Sequence, residues 1–168
     1  GLFSLSGDSL VQCPGKLEKL NIRGIYDQDH TEKSKPTLLA TANGIHVYNF
    51  NTGERTEYEV YSEISRFFQK NVLYKISSLR DKYLFGACTI NNGFLIFNRN
   101  GQTVQHLNTE NSELSCNLLF NILADQHIWL ASDDGINKID YNSPFRYWGE
   151  LHGLKGKIND IANFKGTT

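Results

Sequence analysis

The sequence predicts an all-β chain built from repeated four-stranded antiparallel sheets, and three observations predict it. Short runs rich in Val, Ile, Leu, Phe and Tyr, bounded by Gly, Asn and Asp, recur throughout, whereas helical spacing sustained over ten or more residues is hard to find. The chain also matches itself. The segment Leu38 to Asn49 aligns with the segment Ile128 to Asp140: an apolar strand, a small residue plus Thr41 or Ser132, a two-residue polar turn, Gly44 or Gly135, and a second strand ending in Asn49 or Asp140. Finally, the glycines at 1, 44, 93 and 135 lie 43, 49 and 42 residues apart, so one register covers nearly the whole chain.

Each element follows from that register. Gly1 to Leu5 reads as the Gly-opened strand of an earlier copy, and residues 1–20 as the end of a split unit. Residues 21–62 form the next unit: a first strand at Leu20 to Tyr26, then Leu38 to Thr41, then Gly44 to Phe50, then Arg55 to Val60. Residues 63–112 repeat this with Leu73 to Leu79, Tyr83 to Ala87, a longer turn through Asn91-Asn92-Gly93, Phe94 to Asn98, and Thr103 to Leu107. Residues 113–152 give Leu118 to Asp125, Ile128 to Ala131, Ile136 to Asp140 and Phe145 to Trp148, and residues 153–168 read as the first strand of a further unit. Four strands in a repeat of about 43 residues is the arithmetic of a β-propeller blade. Because propellers close with about four to eight blades, the expectation is an excerpt of a larger propeller, with the remaining blades as its first partners.

The repeat residues have structural reasons. Gly44, Gly93 and Gly135 follow polar turns, where positive φ is expected. Thr41 and Ser132 stand where a hydroxyl can bond turn backbone and end the strand. Trp129 is expected to be buried between stacked sheets, so that truncation to Ala costs about 3–5 kcal/mol.

These residues carry a resemblance. The stretch Ile128-Trp129-Leu130-Ala131-Ser132-Asp133-Asp134-Gly135-Ile136 to Asp140, preceded by Ile122-Leu123-Ala124-Asp125, resembles the two-component regulator propeller repeat, with its Leu-Trp-Ile-Gly-Thr, two variable residues, Gly-Leu and an Arg-Tyr-Asp-like strand. The copy at Leu38 lacks the Trp; the copy at Tyr83 places Phe85 there and has a longer turn. Glu113-Leu114-Ser115-Cys116-Asn117-Leu118 and His152-Gly153-Leu154-Lys155-Gly156-Lys157-Ile158 resemble the family's inter-blade stretch. The resemblance implies the periplasmic sensor region of a membrane-anchored bacterial regulator, a carbohydrate or nutrient ligand, no catalysis in this segment, and an output domain elsewhere. A homodimer through blade surfaces is a further expected partner.

Composition narrows the classes. With 17 Lys+Arg against 18 Asp+Glu, the chain has no basic field to gather nucleic acid. Its apolar runs are far shorter than the roughly 18–20 residues of a membrane span. Cys13, Cys88 and Cys116 are odd in number and lack CxxC spacing, which points to neither a disulfide framework nor a zinc site.

No catalytic constellation is visible, and no cofactor is implied. His30, His46, His106, His127 and His152 fall at unrelated points of the repeat, and Asp133, Asp134 and Asp140 read as turn residues around Gly135. The candidate ligand-binding residues are Arg146, Tyr147, Trp148 and His152, a polar-aromatic stretch able to stack on a sugar ring and bond its hydroxyls. Two other readings stay open: a propeller lyase or hydrolase, which would need convergent His and carboxylates, and a propeller used purely for protein docking.

Overall fold

A computed structural model of the chain describes residues 1–15, 17–27, 37–57, 59–81 and 83–141. Arg146, Tyr147, Trp148, His152 and the expected strands after residue 141 lie outside the described residues. The first sheet pairs β1 (Phe3–Ser6) with β2 (Ser9–Gln12). The second is a four-stranded meander of β3 (Ile22–Asp27), β4 (Thr37–Thr41), β5 (Gly44–Asn49) and β6 (Glu54–Glu57). The third repeats it with β7 (Leu73–Ser78), β8 (Leu84–Thr89), β9 (Phe94–Asn98) and β10 (Thr103–Leu107). The fourth comprises β11 (Leu119–Ala124), β12 (Ile128–Ser132) and β13 (Gly135–Ile139). All pairings are antiparallel.

Turn chemistry explains the meanders. Thr41 Oγ1 donates to the Gly44 carbonyl at 2.9 Å, Thr89 Oγ1 to that of Gly93 at 2.9 Å, and Ser132 Oγ to that of Gly135 at 3.0 Å, so one hydroxyl ties the same hairpin in the second, third and fourth sheets. The Asn ending the third strand of the second and of the third sheet shapes the next turn: Asn49 Oδ1 accepts the Asn51 N–H at 2.9 Å, and Asn98 Oδ1 accepts those of Asn100 and Gln102 at 3.0 Å.

The glycines divide. Gly93 (φ +72°) and Gly135 (φ +126°) occupy the left-handed region expected of them, whereas Gly44 has no positive φ. A Cβ at Gly44 would stand 3.1 Å from Ser65 Oγ, so the requirement there is close approach of a neighbouring element rather than a left-handed turn.

That element is a helix the strand pattern hides. After a 3₁₀ turn at Glu59–Tyr61, α1 (Ser62–Asn71) leads into β7. Tyr61, Ile64 and Phe68 fall on one face and are buried between the second and third sheets. Ser65 Oγ accepts the Ile45 N–H at 3.1 Å. Glu63 in the first turn and Lys70 in the last suit the helix dipole. Ten residues are marginal as an isolated helix, so packing holds this one in place.

The sheets stack face to face, and strand alternation sends successive residues to opposite neighbours. On β4, Leu39 faces the first sheet with Leu2, Cys13, Leu17 and Tyr48, while Leu38 and Ala40 face the third. On β8, Phe85 and Ala87 look back into that same core, while Cys88 looks forward to Leu119, Ile122, Ile128 and Leu130. Phe85 packs with Tyr26 at 5.3 Å and with Phe97 at 5.4 Å between centroids, and the cavity these rings share with Leu38, Ala40, Ile45 and Ile76 is about 10 Å³.

The hairpin register corrects two expectations about the repeat. Trp129 pairs with Lys138, Leu38 with Val47 and Gly86 with Ile96, which places Gly86, not Phe85, at the Trp position. A Cβ at Gly86 would lie 2.7–2.9 Å from Phe94, Ile122 and Leu79, so the glycine lets the fourth sheet approach. Trp129 is not fully buried: the residue is 36% exposed, against 4% for Leu38. It lies on the forward face of the fourth sheet, which no further sheet covers among the described residues.

Candidate inner-strand site

The first strands lie side by side, β3 along β7 and β7 along β11, so the sheets converge on an edge built by these three strands. Each carries a bulge at the same place. The ladder skips Arg23 between Ile22 and Gly24, Tyr74 between Leu73 and Lys75, and Phe120 between Leu119 and Asn121. A bulge re-aims the skipped side chain, and here it brings three repeats into one row. The Arg23 guanidinium lies 5.1 Å from the Tyr74 ring centroid, and Tyr74 meets Phe120 edge to face at 5.6 Å and 73°. Tyr74 is 36% exposed, and Arg23 and Phe120 are half-buried.

The row is held from behind. Leu73 and Leu119, the residues before two of the bulges, are fully buried. Val72, which precedes β7, has φ +48°, unusual for a β-branched residue. Its N–H donates to the Phe68 carbonyl at 2.8 Å and its carbonyl accepts the Ile90 N–H at 3.2 Å, so two sides fix the entry to Tyr74. Arg23 Nε is buried and has no hydrogen-bond partner among the described residues.

Other polar groups serve the turns. The loop stretch 113–118 stitches neighbouring sheets: the Ser115 N–H donates to Asn137 Oδ1 at 3.1 Å, and Asn117 Oδ1 accepts the Thr109 N–H at 2.9 Å. Asp125 accepts the His127 N–H at 2.9 Å, which holds its carboxyl below the usual value. His106 Nε2 lies 2.8 Å from the Asn92 carbonyl, and His127 Nδ1 lies 3.9 Å from Asp140. Among the described residues, no group of three or more His, Cys, Asp or Glu converges as metal ligands. Cys13, Cys88 and Cys116 are free thiols, and burial pushes Cys88 up to about 12.

Sequence reasoning missed the row because its members are 51 and 46 residues apart and differ in chemistry. The available signal was the alignment of first strands, in which Ile22-Arg23, Leu73-Tyr74 and Leu119-Phe120 coincide.

Repeated four-stranded antiparallel sheets converging on their first strands are the architecture of propeller sensor domains. The structure is similar to the extracellular domain of BT4673 from B. thetaiotaomicron, described as a one-component system, with 26% identity, a TM-score of 0.50, and coverage of 75% of this chain and 16% of that one. A second structure of that domain, described as part of a hybrid two-component system, matches at 24% identity and a TM-score of 0.50 over the same shares. PorZ, a bacterial surface component of the type-IX secretion system of Porphyromonas gingivalis, shares the fold at 15% identity and a TM-score of 0.54, covering 82% of this chain and 20% of that one. The chain therefore spans about one sixth of the BT4673 domain's length. No family model matches the sequence. No curated protein matches it either.

Proposed function

We propose that this chain is a ligand-sensing propeller segment in the extracytoplasmic region of a bacterial signal-transduction regulator, and that it acts by binding a carbohydrate or nutrient rather than by catalysis. The observation that carries the reading is the 26% identity to the extracellular domain of BT4673 across 75% of the chain. The inner-strand row supports it, since an edge-to-face aromatic pair beside a cation suits a ligand with both ring faces and oxygens. In this reading further blades cover the open faces. Leu123 (64% exposed), Trp129 and Ile136 (75%) all lie on the forward face of the fourth sheet, whereas the corresponding Leu38 and Ile45 of the second sheet are buried. Isothermal titration with a panel of neutral and acidic oligosaccharides tests the proposal. Saturable heat with a subset of the panel and no turnover is expected; silence with every sugar, together with turnover of any of them, would favour the enzyme reading.

A further inference from the structure

We propose that Arg23, Tyr74 and Phe120 form a subsite for a carboxylate-bearing sugar ring, a uronic-acid residue of an oligosaccharide; the inference rests on the sensor reading and adds where the ligand sits and what charge it bears. Three facts carry it. The same bulge in three successive first strands turns one residue of each into a common row on the edge where the sheets converge. A bulge costs a ladder position, and here the three bulges set a cation, a phenol and a phenyl ring in line. Arg23 is also underused by the chain. It stacks on Tyr74 at 5.1 Å, its buried Nε lacks a partner, and no carboxylate pairs with it among the described residues.

A guanidinium stacked over a ring offers its N–H donors around its rim, in a fork that fits a carboxylate through two parallel bonds. The half-exposed Tyr74 and the Phe120 ring beside it give an apolar surface for the C–H face of a pyranose. A neutral sugar would use the rings and leave the cation unmatched. A simple inorganic anion would use the cation and leave the rings unmatched. A uronate uses both.

The test titrates the full chain with trigalacturonate, with a glucuronate-containing hyaluronan tetrasaccharide, with the carboxyl-reduced form of each, and with inorganic sulfate. At least one acidic oligosaccharide is expected to bind about ten- to a hundredfold more tightly than its reduced form, with affinity that weakens as salt is raised. Arg23→Gln should remove that preference and leave the reduced form within about twofold, while Arg23→Lys, which keeps the charge and loses the fork, should fall between. Tyr74→Leu, which keeps the bulk, should weaken the acidic and reduced forms alike. Circular dichroism of each variant confirms that the fold persists. Equal binding of acidic and reduced forms, undiminished acidic binding by a folded Arg23→Gln chain, or binding of sulfate as tight as the oligosaccharide would overturn the subsite and leave the sensor reading standing. Silence with every one of these saccharides would likewise overturn the subsite.

Discussion

Replacing Gly86 by alanine tests how closely the third and fourth sheets stack. The new Cβ would lie 2.7 Å from Phe94 Cζ, 2.8 Å from Ile122 Cδ1 and 2.9 Å from Leu79 Cδ2. Apolar carbons settle at about 3.5–4.0 Å, so side chains from β9, from β11 and from Leu79 just after β7 must each retreat. Overpacking of this kind costs about 1–3 kcal/mol. Alanine recovers about 0.5–1 kcal/mol over glycine within a strand. At mid-range the net loss is about 1 kcal/mol, which for a chain of this size lowers the thermal midpoint by roughly 2–4 °C. Urea unfolding followed by Trp fluorescence should show a lower midpoint at unchanged slope. Ile122→Val, which removes the δ-methyl, should cost about 0.5–1.5 kcal/mol alone and less in the alanine background, a favourable coupling. Gly7→Ala is the control, since its φ of +60° is strained but no atom lies within 4 Å, so its cost is backbone strain alone. A Gly86→Ala chain as stable as the parent, or additivity with Ile122→Val, would refute the close-stacking argument.

Four further outcomes are expected. Phe68→Ala should cost about 3–5 kcal/mol because the ring is fully buried, and Ser65→Ala about 1 kcal/mol, with faster hydrogen exchange at the Ile45 amide whose acceptor it removes. Burial pushes Tyr26 from 10.0 and Cys88 from 9.0 up to about 12, so both stay neutral in the folded chain after they ionise in the unfolded one. Stability should therefore be complete below about pH 9 and fall as pH rises toward 12; Tyr26→Phe should flatten the upper part of that limb in alkaline melts while losing the 2.6 Å bond to the Ile76 carbonyl. Trp129→Ala should cost only about 1–2 kcal/mol by urea unfolding, below the 3–5 kcal/mol of a buried ring, because 36% of its surface is already wet.

Strands and hairpins were legible from the sequence because their causes are local. Phe94 to Asn98 and Thr103 to Leu107 run as expected, and Thr41, Thr89 and Ser132 each bond a backbone group within four residues. Period-two alternation and turn chemistry need no knowledge of the rest of the chain. Helix α1 was less legible: its apolar face comes down to Tyr61, Ile64 and Phe68, and its stability comes from the core it enters. Gly44 and Gly86 look alike in sequence to any turn or strand glycine, yet each answers to an atom brought from elsewhere, Ser65 in one case and Ile122 in the other.

The sequence by itself determined the repeat, the all-β class and the strand order, since these follow from side-chain alternation and turn residues read along one strand at a time. The tertiary structure alone decided what those strands present. Which face of a sheet meets its neighbour, and which residues of separate repeats share a row, depend on ladder register and on bulges. A one-residue slip in register reverses every side chain of a strand. Arg23, Tyr74 and Phe120 become neighbours only because three ladders slip at the same place.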